Sequence, residues 1–218
     1  MNYILIALIS YLFGSFPTAL IVVYLFTKKD VRSSGSGNMG AMNTLRMIKK
    51  ERGIALAFVG FLIVWIFDMS KAVIVSLISL SLVHDFIPVI TISSFFAILG
   101  HNYPIWLKGK GGRGAASLMG IIIYYHLPVF IYWIMTIFLA SVVFEYIYRI
   151  INHQKTDFEM IPYAISEQII GRLIGEVIAI YVVYLLDQRL FLPVLLGTIL
   201  IIYRHKERVI KQINKINS

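Results

Sequence analysis

The sequence predicts an all-α, polytopic integral membrane bundle, and three observations carry that prediction. Hydrophobic residues make up 59% of its 218 residues and charged ones 14%, against roughly 45–50% and 25% in soluble domains; mean hydropathy is +0.81. Several charge-poor runs are long enough to cross a hydrocarbon core of about 30 Å. The basic charge, finally, is concentrated. Lys28–Arg52 holds seven Lys/Arg against two Asp/Glu, Lys108–Arg113 three against none, and Arg204–Lys215 five against one. These stretches carry a net +12 and the remainder −3, giving the chain its +9. The positive-inside rule puts all three on the cytoplasmic face.

In order, residues 2–27 carry no charge and predict a first membrane helix, loosened at Gly14 and Pro17. Its positive charge, Lys28 and Lys29, follows the apolar run, whereas a signal peptide has positive charge before it. Residues 54–83 predict a second span, apolar except for Asp68 and Lys71. Their spacing puts those two on one helical face as a mutually neutralising ion pair. Ile87–Leu99 is short for a span and predicts a tilted or partial helix. Ala115–Phe144 is uncharged for thirty residues, with a kink expected at Pro128. A polar loop at about Asn152–Glu159 precedes the apolar run Pro162–Leu186, which carries Glu167, Arg172 and Glu176. Arg172 and Glu176 are spaced i,i+4, as are Glu145 and Arg149. Leu190–Tyr203 closes the membrane part, and Arg204–Ser218 is a basic tail.

If the basic stretches share one face, each gap between them holds an even number of crossings. The first gap supplies two; the second shows three apolar segments, so one of those is partial, re-entrant or split. The expectation is five full spans, or up to seven helices counting short ones, with the N-terminus outside and the C-terminus cytoplasmic. The whole, residues 1–218, is read as a single domain. No internal repeat is visible, which weighs against an inverted-repeat transporter.

The absence of cysteine removes disulfides, thiolate metal sites and a catalytic thiol together. The five histidines, at 84, 101, 126, 153 and 205, show no paired-ligand spacing, so no metal and no cofactor are expected. The positive balance belongs to cytoplasmic loops rather than to nucleic acid.

The first basic loop contains Gly35-Ser36-Gly37-Asn38-Met39-Gly40, then Ala41-Met42-Asn43-Thr44-Leu45-Arg46. Its G-x-G-x-x-G is not a dinucleotide fingerprint, because no strand precedes it and no acidic residue follows about 20 positions on. The glycines still permit positive φ and convergence of N–H groups on an anion. Ser36, Asn38 and Asn43 add neutral donors and Arg46 a forked cation. A flexible turn between helices, capped by Ser and Asn, is the alternative. The second loop follows Gly100-His101-Asn102-Tyr103-Pro104 and reads Lys108-Gly109-Lys110-Gly111-Gly112-Arg113-Gly114. Glycines interleaved with cations suit a phosphate cradle, though not a Walker A loop. A basic segment against anionic head groups explains the charges but not the glycines. His101 reads either as an interfacial anchor or as a ligand contact. His205, flanked by Arg204 and Lys206, is placed to stay neutral, as a general base requires, and an ordinary exposed histidine has the same placement.

Together these motifs resemble the bacterial acyl-phosphate:glycerol-3-phosphate acyltransferase (PlsY) family. The resemblance starts at Gly14-Ser15-Phe16-Pro17-Thr18 and runs through Asp30-Val31-Arg32, residues 35–46, Asp68-x-x-Lys71 and residues 100–117 to Arg204-His205. It implies acyl transfer from acyl phosphate to the 1-hydroxyl of glycerol 3-phosphate, giving lysophosphatidic acid and phosphate, in a bacterial inner membrane. Acyl phosphate is already activated, so no acyl-enzyme and no cysteine are required. His205, Arg46, Lys110 and Ser36 are the catalytic candidates. Gly35, Ser36, Gly37, Asn38, Gly40, Asn43, Arg46, His101, Lys108, Lys110, Gly111, Gly112, Arg113 and Gly114 are the candidates for holding phosphate.

The chain departs from the family pattern at four points. Arg208 stands where the third motif has Asn, a Gly-x-Glu ending is missing, Arg113 replaces Lys and Met42 replaces Thr. Two other readings stay open: a small anion transporter built on Glu167, Arg172 and Glu176, and an inactive lipid-binding paralogue.

Overall fold

The structure, a computed structural model, describes residues 2–216, excepting the side chains of Ser166, Lys215 and Ile216. All regular structure among the described residues is helical, in ten α-helices with short 3-10 turns. Among the described residues five segments are long and apolar enough to cross a membrane: Asn2–Thr27, Ile54–Leu82, Phe86–Leu107, Leu127–Ile151 and Ile169–Leu186. Ala115–Tyr125 is a shorter apolar helix. The chain falls into two compact units, residues 1–124 and 125–218.

In the first unit the opening apolar run is split into α1 (Asn2–Gly14) and α2 (Thr18–Thr27). Pro17 has no N–H to give Phe13 O, and its ring would meet that carbonyl, so the helix stops and restarts. The first basic stretch, expected as a loop, contains α3 (Ala41–Arg52). Its Asn43, Thr44, Met47 and Ile48 are buried, the i,i+1,i+4,i+5 stripe of an amphipathic helix. Lys49, Lys50 and Arg52 sit in its last turn, where the helix dipole favours cations. Met47 and Ile48 join Val22, Val31, Met39, Ala57 and Val64 in one core cluster, with Leu107 packed against it.

Helix α4 (Ile54–Leu82) crosses next, and α5 (Phe86–Asn102) is longer than the expected Ile87–Leu99. The helix continues through Gly100, His101 and Asn102, which are buried. Helices α1 and α5 approach closely at two small residues: a Cβ on Gly14 would overlap Ala97 O, and one on Gly100 would overlap Tyr11 O. Such contacts let membrane helices pack where no hydrophobic force drives them together. Helix α6 (Ala115–Tyr125) closes the unit.

The uncharged run Ala115–Phe144 is therefore not one kinked helix. It breaks at His126, and α7 (Leu127–Ile151) starts afresh with Pro128 in its first turn. A proline there loses no hydrogen bond, whereas inside a helix it would leave Tyr124 O unpaired.

The second unit continues with α8 (Met160–Ser166), α9 (Ile169–Leu186) and α10 (Phe191–Ile216). The apolar run expected from Pro162 breaks at Glu167–Gln168, and the basic tail is helical as far as residue 216. Helices α7 and α9 meet at Gly171 and Gly175, where a Cβ would crowd Ser141 Cα and Ile137 Cα. The expected Glu145–Arg149 pair forms at 2.7 Å, and Gln168 Nε2 donates to the other Glu145 oxygen at 2.9 Å. Gln212 Oε1 accepts the Ile169 and Ile170 amides at 2.9 and 3.3 Å, capping α9 from α10. Arg172 donates through Nε to Gln168 O, while its Nη2 and Glu176 Oε2 have no hydrogen-bond partner among the described residues.

Candidate active site

The first loop is shaped by its own side chains. Asp30 accepts the Arg32 amide at 2.8 Å and grips the Arg32 guanidinium, 2.6 Å from Nη2. That hydrogen-bonded cation holds the Asp30 carboxyl below the usual carboxylate range. Gly35 and Gly37 follow at φ 65° and 64°, the left-handed region glycine enters without strain. The Ser36 amide donates to Asn43 Oδ1 at 2.9 Å, and Asn43 Nδ2 donates to Val31 O at 2.8 Å and Ser34 O at 3.3 Å. Asn43, proposed from sequence as a donor to an anion, thus has its amide hydrogens committed within the loop and is 1% exposed. Ser36 is exposed and Asn38 half-buried. Gly40 O accepts the Asn43 and Thr44 amides at 3.1 Å, opening α3. Arg46 lies on the exposed side of that helix.

The second loop folds back on the end of α5. Lys108 and Gly109, at φ 51° and 75°, reverse the chain after a 3-10 turn at Ile105–Leu107. The Gly112 amide then donates to His101 O at 2.9 Å. A Cβ on Gly112 would overlap His101 Nε2, and one on Gly111 would overlap His101 O and Pro104 Cδ. Glycine is demanded at 111 and 112 by close approach, and at 109 by its positive φ. Gly114 precedes α6, and its O accepts the Leu118 amide at 3.1 Å, so the positive end of that helix dipole lies at the loop. Lys108 and Lys110 are exposed and Arg113 half-buried.

The two loops meet at α4. Asp68 and Lys71 are 2% and 5% exposed, and Lys71 Nζ lies 2.9 Å from Asp68 Oδ1, the pair expected from their spacing. Lys71 Nζ also donates to Phe16 O, at the α1–α2 break, at 3.2 Å. His101 Nδ1 is 3.7 Å from the same Asp68 oxygen, and Ser117 Oγ of α6 donates to Asp68 O at 2.8 Å. A recess of about 10 Å³ is lined by Met39 of the first loop, Gly112 of the second, His101, Asp68, Lys71 and the break at Ser15–Thr18. That is room for about one water. A larger groove of about 540 Å³ is lined by Leu12, Phe13, Phe16, Phe67 and Ile74 with Lys71, within the roughly 300–1,000 Å³ usual for ligand sites. Lys71 borders both cavities. Spacing alone predicted the Asp68–Lys71 pair, but not its place between two loops.

His205 lies on α10 in the second unit. Its Nδ1 is 2.8 Å from Ile201 O; a carbonyl only accepts, so Nδ1 carries a proton and the neutral ring holds its lone pair on Nε2. Arg208 is one turn further on, with Nη2 3.9 Å from Glu167 Oε2.

The family model for glycerol-3-phosphate acyltransferase matches residues 4–215. The glycerol-3-phosphate acyltransferase of Pelagibacter ubique (strain HTCC1062) is 39% identical over 145 residues, covering 65% of this chain and 70% of that protein. That of Anaplasma marginale (strain Florida) is 37% identical over 138 residues, 63% of this chain and 64% of the relative. Among solved structures, the glycerol 3-phosphate form of PlsY (YgiH), an integral membrane glycerol 3-phosphate acyltransferase, aligns with TM-score 0.70 and 20% identity, over 99% of this chain and 94% of that one. Its lysophosphatidic acid form aligns with TM-score 0.69. At that identity the likeness is one of fold; the family match, running almost from end to end, makes this chain a member of the glycerol-3-phosphate acyltransferase family.

Proposed function

We propose that the protein transfers a fatty acyl group from acyl phosphate to the 1-hydroxyl of glycerol 3-phosphate, releasing lysophosphatidic acid and phosphate, at the cytoplasmic face of a bacterial inner membrane. The observation that carries this reading is the meeting of two glycine- and cation-rich loops at one recess beside an apolar groove, in a member of this family. Two anionic head groups and one acyl chain require that combination. Both units are treated as one catalytic domain, since the family match runs through both.

In this reading the 108–114 loop and the start of α6 take one phosphate, with Lys110 and Arg113 neutralising it and Lys108 at the rim. Ser36, Asn38, the glycine amides of residues 35–40 and Arg46 take the other. Asn43 and His101 act one step back, folding the two loops. The acyl chain occupies the apolar groove. Glycerol 3-phosphate attacks the acyl carbonyl directly, and cations beside the departing phosphate stabilise the charge that develops on it. His205 Nε2 accepts the hydroxyl proton or orients the donor. The basic loops, including Arg204–Lys215, are taken as cytoplasmic, with the N-terminus outside.

The test is turnover by the detergent-purified protein with palmitoyl phosphate and labelled glycerol 3-phosphate, with palmitoyl-CoA as the parallel donor. Lysophosphatidic acid formed from palmitoyl phosphate alone supports the reading. Accumulation of labelled glycerol 3-phosphate or phosphate inside proteoliposomes without acylation supports the transporter instead.

A further inference from the structure

Lys71 was expected only to neutralise Asp68. Its ammonium has three donors. Asp68 Oδ1 takes one at 2.9 Å and Phe16 O a second at 3.2 Å. The third has no acceptor among the described residues, and the side chain is 6% exposed. Lys71 borders both the recess lined by Met39 and Gly112 and the apolar groove lined by Phe13, Phe16 and Phe67. The groove's other polar residues, Thr18 and Ser70, carry no charge.

An acyl phosphate has its carbonyl at one place only, between its chain and its phosphate. With the chain in the groove and the phosphate on the glycine loops, the carbonyl falls where groove and recess adjoin. We propose that Lys71 is a catalytic residue, its third N–H donating to the acyl carbonyl oxygen and stabilising the oxyanion formed there. The inference rests on the acyltransferase reading above.

The step balances. The glycerol 3-phosphate 1-hydroxyl oxygen forms a bond to the acyl carbon, and the carbonyl π pair moves to the oxygen facing Lys71. That pair returns as the bond to phosphate oxygen breaks, and the phosphate leaves with the bonding electrons. The hydroxyl proton ends on it, giving hydrogen phosphate. Asp68 and Phe16 O hold the ammonium in place beforehand, so that little reorganisation is needed as charge develops. Asp68 also keeps a buried cation from standing unpaired before substrate arrives.

The experiment compares wild type with Lys71→Met and with the double variant Asp68→Asn/Lys71→Met. The double variant removes both buried charges at once and carries the test where Lys71→Met alone leaves Asp68 unpaired and fails to fold. Hexadecyl phosphate, which has the chain and the phosphate but no carbonyl, reports binding separately from chemistry. The expected result is a fall in kcat of about 10²–10³-fold, the usual effect of losing one oxyanion donor, with hexadecyl phosphate inhibiting variant and wild type at the same concentration. A folded variant with wild-type kcat overturns the inference. So does a loss of hexadecyl phosphate inhibition that matches the loss of turnover, since the lysine would then be serving only the shape of the site. A wild type that forms no lysophosphatidic acid overturns the acyltransferase reading, and this inference with it.

Discussion

His101 and Gly112 are locked together: the Gly112 amide donates to His101 O at 2.9 Å, and a Cβ on Gly112 would overlap the His101 ring at Nε2. The glycine loop is thereby fixed to the end of α5, and through His101 it stands 3.7 Å from the Asp68 carboxylate on α4. Gly112→Ala pushes loop and ring apart without touching any charge. We expect a loss of activity of about 10²-fold, the scale of an ångström-sized misplacement in an active site. Thermal unfolding in detergent should change far less, and the pair of measurements checks this.

Asn43 is the brace of the first loop. Asn43→Ala releases the Ser36 amide and strands the buried Val31 carbonyl, at a cost of about 1–3 kcal/mol for an unsatisfied buried group. The expected outcome is a lower unfolding temperature together with a raised KM for glycerol 3-phosphate. A loop that kept wild-type stability and kinetics without Asn43 would contradict its bracing role.

Asp30 gives the same loop a pH dependence. Its carboxyl titrates below the ordinary Asp value because Arg32 hydrogen-bonds the charged form. A depressed pKa means that the stabilisation is fully present above the unfolded value of about 3.9 and is lost as pH falls through the lower folded one. Asp30→Asn should therefore be less stable than wild type at neutral pH, and the gap should close in acid below that window. Unfolding temperatures of both proteins across the acid range check the sign.

His205 presents its Nε2 lone pair when neutral, because Nδ1–H is taken by Ile201 O at 2.8 Å. His205→Gln keeps a polar side chain of similar reach but cannot accept a proton. If Nε2 is the base, kcat falls by about 10²–10⁴-fold, the ordinary contribution of general base catalysis, and the KM values stay where they are. An unchanged kcat would leave the departing phosphate as the proton acceptor.

Much of this arrangement was readable in the chain itself, and the reasons differ by element. Spans such as Ile54–Leu82 follow from uninterrupted apolar length, a signal that bilayer thickness makes strong. The breaks were harder to read. Pro17 and Pro128 both promised a disturbance, yet the same lack of an N–H can kink a helix or restart it, and in both places the chain restarts. At the site, glycine and cation spacing marked both loops, because close approach and charge each require particular residue types. Asn43 was read as a ligand contact, and its bracing of the loop was not legible because its partners, Val31 O and Ser34 O, are backbone atoms that composition cannot reveal. Lys71 was read as half of an ion pair because helical spacing shows Asp68 but not the cavities on either side.

The measurement that tests the account most directly is kcat/KM for lysophosphatidic acid formation in wild type and in Lys110→Ala, at matched unfolding temperature. Lys110 is exposed in the second glycine loop, so its removal should leave the fold intact. A loss of about 10²-fold or more at unchanged stability is what a cation neutralising phosphate in the transition state predicts. Equal kcat/KM in the two proteins, with unchanged KM for both substrates, would contradict the assignment of this loop as the phosphate cradle.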